Sequence, residues 1–381
     1  MSTLKVDGIR SNSASSDAIT LASDGTATAK LTTVNDVVMP NGGSLSNRNL
    51  IINGAMQVAQ RGTVTGITTP KYGGPDRFET HINGLGTWTT SQTSSASDQN
   101  TTGVYNSLKM QCTTANASPS ATHYAILLHH IEGYNATQLQ WGAANAKQVT
   151  LSFWCKANVS GWSSGTKSFV AEIQGGTTTY ESGILVTLNA NDTWQKISIT
   201  FPAQTVQALN TTNASGLSIN LWLDAGSTWT SGTLSSSWSD KANGDRAAGC
   251  NLGLGNNTAN YFQITGVQLE VGSVATEFDH ESFDEVARKC YRYYQPYIAY
   301  AEYVAGGTGN LGMPYVSFIT PMRASPTITS DHESKSSNWS FSSMQFQGNA
   351  NTGYYAYAIS FNTSNSNYGY MRKYGYADSE L

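Results

Sequence analysis

The sequence predicts a mainly β protein: a short N-terminal β stalk, a jelly-roll β-sandwich, one helix, and then a small C-terminal β domain. Three observations predict it. Short runs alternate apolar and polar residues with a period of two, and turn formers separate them. Only 12% of the residues are charged and 36 are glycine, so strong helix formers are scarce and turn formers plentiful. The 9 Trp, 20 Tyr and 11 Phe supply apolar area that a disordered chain would lack.

Within residues 1–46, the pieces 4–9, 18–21 and 36–39 favour β structure, but each is too short to bury a core. Such a segment is stable when it adds to a larger sheet or winds around copies of itself. It is expected to be a stalk or docking segment of an oligomer. Over 47–280, the runs 124–128, 149–155, 168–173, 194–201, 217–223 and 261–269 read as strands. In 194–201, Ile197, Ile199 and Phe201 share one face while Lys196, Ser198 and Thr200 share the other, as a half-buried strand requires. Many strands without intervening helices imply a sandwich of the jelly-roll kind.

Near residue 281 the period changes to three and four, through Phe283, Val286, Ala287, Cys290 and Tyr293/Tyr294. This predicts the helix. Ser282 and Glu285 form a capping-box pair, Asp284 and Glu285 sit at the positive end of the dipole, and Pro296 is expected to end the run. The segments 316–319, 327–329, 354–361 and 368–374 return to strand character, giving a C-terminal β domain over 281–381 together with the helix.

A net charge of -4 without a Lys/Arg run leaves no electrostatic footprint for nucleic acid. Cys112, Cys155, Cys250 and Cys290 are widely spaced and lack a C-x-x-C pair, so buried free thiols are expected rather than zinc or redox chemistry. Met1 to Arg10 carries no continuous apolar region, and no later stretch has the length of a membrane span. Synthesis in a cytoplasm without a signal peptide and without membrane insertion is the expectation.

Catalytic patterns fail on their context. Gly161-Trp-Ser-Ser-Gly165 matches a nucleophile elbow, but strands flank it on both sides instead of a strand and a helix. Gly307-Thr-Gly309-Asn-Leu-Gly312 matches a phosphate-binding loop, but Met313-Pro314 and a strand follow where a helix must start. His129 and His130 face opposite sides of a strand, and His123 is about 20 Å from His129 at roughly 3.3 Å per residue. Spacing does not single out Asp76/Glu79 or Asp224/Asp245 as a glycosidase pair over ordinary surface carboxylates. The protein is therefore expected not to be an enzyme and to carry no cofactor. Structural calcium stays open, because scattered oxygen ligands leave no sequence signature.

The remaining chemical resource is aromatic. Trp88, Trp162, Trp229 and Trp238 lie in Gly/Ser/Thr-rich stretches and read as exposed loop residues. An exposed indole stacks on a sugar ring while neighbouring polar groups bond its hydroxyls, so these four are the glycan-binding candidates. Trp141, Trp154, Trp194 and Trp222 read as core or interface residues.

An ordered set of segments resembles the receptor-binding and tail-fibre proteins of tailed bacteriophages. It comprises Asn47-Arg-Asn-Leu-Ile-Ile-Asn-Gly-Ala-Met-Gln-Val-Ala-Gln-Arg-Gly62, Gly74-Pro-Asp-Arg-Phe78, Ile131-Glu-Gly133, Trp141-Gly142 and Val149-Thr-Leu-Ser-Phe-Trp154. Trp194-Gln-Lys, Ile264-Thr-Gly-Val-Gln-Leu-Glu-Val-Gly272, Ala275-Thr-Glu-Phe278, Cys290-Tyr-Arg-Tyr-Tyr294, Pro321-Met-Arg-Ala-Ser-Pro-Thr327 and Ala377-Asp-Ser-Glu-Leu381 continue it. The resemblance implies a carbohydrate-binding-module-like jelly roll, a homotrimer and a place in the virion tail fibre. It also implies partners: other tail proteins at the N-terminal segment and host-surface polysaccharide elsewhere. It supplies no sugar-contact residues. A purely structural fibre or collar connector without its own receptor site is the alternative reading, and a polysaccharide-degrading tailspike a third.

Overall fold

The computed structural model describes residues 47–175 and 180–303 continuously, together with 311–312, 315–335, 340–347, 354–362 and 369–381. Within 1–46 it describes five short strands. β1 (Gly8–Ile9), β2 (Ile19–Leu21) and β3 (Ala27–Ala29) form an antiparallel sheet, and β4 (Thr33–Val34) pairs with β5 (Val37–Val38).

The centre of the molecule is a two-sheet antiparallel sandwich. Its strands are β6 (Val64–Ile67), β7 (Lys71–Tyr72), β8 (Phe78–Asn83), β9 (Thr87–Ser94), β10 (Asn106–Thr114), β11 (Tyr124–Glu132) and β12 (Val149–Asn158). β13 (Lys167–Gly175), β14 (Tyr180–Leu188), β15 (Gln195–Phe201), β16 (Ser215–Ala225), β17 (Ser239–Asp240) and β18 (Tyr261–Val271) complete it. One sheet has the order β15-β12-β18-β10-β9-β6 and the other β17-β14-β13-β16-β11-β8-β7. The chain passes repeatedly from one sheet to the other, as a jelly roll does. Phe153 and Phe262 from the first sheet meet Phe169 from the second, with Phe169 and Phe262 edge to face at 5.4 Å between centroids. The alternation expected in β15 is present: Ile197 and Ile199 pack on this core with Phe201, while Lys196 and Ser198 are exposed.

The sandwich is not free of helices. α1 (Ala96–Thr102) joins β9 to β10, and α2 (Gly133–Ala136) and α3 (Ser227–Thr230) are single turns. α1 has no apolar periodicity, which is why it is invisible to a search for period 3.6. Its caps make it: the Ser95 side chain accepts from the Asp98 amide, and Gly103 closes it in the left-handed region at φ 78°.

α4 (Phe283–Tyr291) is the predicted helix, and its capping box between Ser282 and Glu285 is formed. Its end differs from expectation. The helix stops at Tyr291 without Pro296, which lies further on inside β19 (Tyr294–Tyr303), opposite Tyr376 of β25 (Gly369–Asp378). β19 is an edge strand in the order β19-β25-β22, with β22 at Thr327–Lys335, and an edge tolerates the missing N–H. β20 (Leu311–Gly312), β21 (Tyr315–Ser317) and β23 (Ser340–Gln347) pair with β24 (Tyr354–Asn362). Of the apparent phosphate loop, 307–310 lie outside the described residues, and Leu311 and Gly312 form β20.

Candidate functional site

The four candidate tryptophans do not present open indole faces. Trp88 is not in a loop: it stands on β9, is 0% exposed, and donates its N–H to the Leu85 carbonyl. Trp162 is buried in the turn between β12 and β13, with its N–H on the Gly165 carbonyl. Trp229, on α3, is half-buried against Trp222 and Tyr124 and donates to the Thr122 carbonyl. Trp238 is half-buried edge to face on Trp141 and donates to the Pro202 carbonyl. The Gly/Ser/Thr-rich stretches around them fold back on the sandwich, and each indole holds its own stretch down.

Trp222 and Trp229 border a buried charge cluster on the outer side of the seven-stranded sheet. Arg246 meets Glu172 through two N–H···O bonds at 2.8 and 2.9 Å, and Asn220 and Trp222 donate to the same carboxylate. Glu181 lies 3.3 Å from Arg246. Burial alone would raise Glu172, but the hydrogen bonds and charge of Arg246 carry it down to about 2; burial and the bond to Glu172 push Glu181 up to about 8. The cluster is closed to ligands and fastens segment 226–250 over the sheet.

Several of the segments that carry the resemblance, 47–62, 74–78, 131–133, 290–294, 321–327 and 377–381, converge at the junction of sandwich and C-terminal sheet. Asn49 accepts from the Leu269 amide and donates to the Val267 carbonyl, tying the first segment to β18. Glu132 accepts from Arg292 and from the Tyr293 hydroxyl. Glu380 is clamped by Arg61 and by Arg77, whose guanidinium stacks on the Tyr293 ring at 3.5 Å. Arg323 donates to the carbonyls of Ser379 and Glu380. Sequence spacing could not reveal this assembly, because its members lie up to 319 positions apart.

Beside the clamp runs an open groove of about 510 Å³, walled by Lys71 and Tyr72 of β7, Glu79 of β8, Tyr294 of β19, Thr329 of β22 and Tyr376 of β25. Tyr294 and Tyr376 stack with centroids 5.1 Å apart and planes at 12°, and Arg61 lies 3.5 Å from the Tyr294 centroid. A guanidinium and two phenols thus form a column, with half-buried Tyr376 at its groove end. Gln60 spends its amide N–H groups on Asp76 and the Tyr294 carbonyl, which leaves its side-chain oxygen buried without a donor among the described residues. Burial and the nearby Glu380 carboxylate push Glu79 up to about 7, so near neutrality its carboxyl both donates and accepts. Gln60, Arg61, Asp76 and Tyr294 lie in segments that carry the resemblance, and Asp76 and Glu79 stood out only as a possible carboxylate pair; nothing in their spacing joined them to Tyr72 or Tyr376.

Among the described residues no three His, Cys, Asp or Glu side chains gather as a metal site, and all four cysteines are free. No described helix is long and apolar enough to cross a membrane.

No protein-family profile and no curated protein matches the chain. Among solved structures it is similar to a family 61 carbohydrate-binding module in complex with β-1,4-galactotriose, at 8% identity and a TM-score of 0.29 over 59% of this chain and 99% of that one. A family 11 module from Clostridium thermocellum, in complex with a β-1,3-1,4-mixed-linked tetrasaccharide, gives 10% identity and a TM-score of 0.26 over 57% and 98%. A family 22 xylan-binding domain from Paenibacillus barcinonensis gives 11% and 0.25 over 62% and 100%. At these scores none assigns a residue or a ligand to this chain.

Proposed function

We propose that this chain is a non-catalytic tail-fibre protein of a tailed bacteriophage that adheres to host-surface polysaccharide through the junction groove. The observation that carries the reading is the groove itself. It pairs aromatic surface with a carboxyl that can donate, the combination that sugar rings and their hydroxyls use. Its volume lies in the range of ligand sites rather than of packing voids. The phage assignment is supported by the sequence resemblance, whose segments build the groove's frame. In a homotrimer three grooves would act together, so weak single-site binding is sufficient for attachment.

The test is titration of host capsule or lipopolysaccharide oligosaccharides into the full chain. Micromolar to millimolar binding is expected, with at least tenfold loss in Tyr376→Ala and an unchanged circular dichroism spectrum. Absence of binding across a glycan array, together with normal adsorption of phage lacking the chain, overturns the proposal.

A further inference from the structure

We propose a second saccharide site on the outer face of the six-stranded sheet, built on Trp154 and Phe278 and shaped for a neutral sugar ring. It shares no residue with the junction groove and does not depend on it.

Trp88, Trp141, Trp162, Trp222, Trp229 and Trp238 each donate the indole N–H to an acceptor within the chain. Trp154 and Trp194 are the described tryptophans whose N–H finds none; that of Trp194 is cut off from solvent, which leaves the Trp154 N–H as the unpaired one that a ligand can reach.

The two are neighbours. In the β12/β15 register Trp154 lies opposite Lys196 and Cys155 opposite Gln195, so the next step sets Lys156 beside Trp194. Cys155 and Phe153 point into the core, which places Trp154 and Lys156 on the outer face. The result is a two-by-two block in which tryptophan and lysine alternate, and the Lys156 ammonium lies 5.0 Å from the Trp194 ring centroid.

A pocket of about 160 Å³ opens beside the block, between Trp154, Lys196, Phe278 and the end of α1 at Thr102 and Gly103. A bulge makes the room. The register of β12 against β18 slips between Ser152 and Trp154, and Gly266 occupies the slip at φ 60°. A Cβ on Gly266 would already touch Trp154 at 3.5 Å and Phe278 at 3.9 Å, so any larger side chain would fill the space.

Charge and apolar surface together define the ligand. The pocket is open to solvent and has room for a sugar ring beside Trp154 and Phe278. Two lysines face three carboxylates around it: Lys156 lies 3.7 Å from Asp98 and 3.9 Å from Asp192, and Lys196 lies 3.8 Å from Glu277. Donors and acceptors together suit hydroxyl groups, and the excess of negative charge disfavours a carboxylate or sulfate. Trp154 and Phe278 supply the apolar faces.

The test uses the full chain with methyl glycosides of glucose, galactose, mannose and N-acetylglucosamine, read by tryptophan fluorescence and calorimetry. Saturable millimolar binding of at least one is expected, lost at least tenfold in Trp154→Ala and kept in Tyr376→Ala. Should Trp154→Ala fail to fold, Phe278→Ala and Trp154→Phe take its place, with the same loss expected in the former and partial binding in the latter. The proposal is overturned if no glycoside binds, if these variants bind as the parent does, or if the site prefers glucuronic acid to glucose. Failure here with intact oligosaccharide binding at the groove leaves the proposed function standing.

Discussion

Glu172 shows how much a single side chain can rest on one partner. It is 1% exposed, and Arg246 supplies its only cationic contact among the described residues. Replacing Arg246 with Met leaves a buried charge with only the Asn220 and Trp222 donors. We expect a loss of about 3–5 kcal/mol, seen as a lower urea midpoint. Glu172 is held low, so its contribution is complete above the ordinary carboxylate range and is lost as pH falls through about 2. Glu79 and Glu181 act with the opposite sign. Raised to about 7 and about 8, they contribute most below the ordinary range and lose that contribution as pH rises through those values. Stability should therefore decline between pH 5 and 9, and Glu181→Gln should flatten the decline; an equal slope in parent and variant counts against the assignment. None of this was legible in the sequence, because Glu172 and Arg246 stand 74 positions apart. The expected exposure of Trp88 and Trp162 failed for a related reason: a Ser/Thr-rich neighbourhood predicts a surface stretch, but not whether its largest side chain turns inward.

Elements were legible in proportion to their apolar contrast. The strands β12, β13, β15, β16 and β18 carry Val, Ile, Leu and Phe on alternate positions and were recognised. β9, with the sequence TWTTSQTS, and β10, with NSLKMQCTT, carry too few apolar residues to stand out, yet they pair along their length. Hydroxyl pairs replace apolar ones there, as Thr93 and Ser107 do at 2.7 Å. Helix α4 was legible because its cap is local. Ser282→Ala removes half of the capping box and should lower stability by about 1 kcal/mol, measurable by chemical denaturation. A loss below a few tenths would mean that contacts of Val286, Ala287 and Cys290 with Val58 hold the helix unaided.

At the scale of the whole molecule, the clamp on Glu380 couples the C-terminal sheet to the sandwich. Arg77 is 1% exposed, so Glu380→Ala strands a buried cation and should cost about 3–5 kcal/mol. The loss should appear as faster proteolysis within 282–381. Replacing both partners, Arg77→Met with Glu380→Leu, should recover much of it, because two apolar groups leave no orphan charge; a double variant as labile as the single one would refute the pairing. The sequence signalled the contributing segments through resemblance, but not that they meet.

The same clamp sets an order in time. Arg77 leaves the ribosome 303 residues before Glu380, an interval of about 15–60 s at roughly 5–20 residues per second. During that interval the nascent sandwich holds an arginine whose counter-charge has not yet been made. A chain arrested before Glu380 keeps that defect, which makes the junction a built-in record of whether translation ran through it.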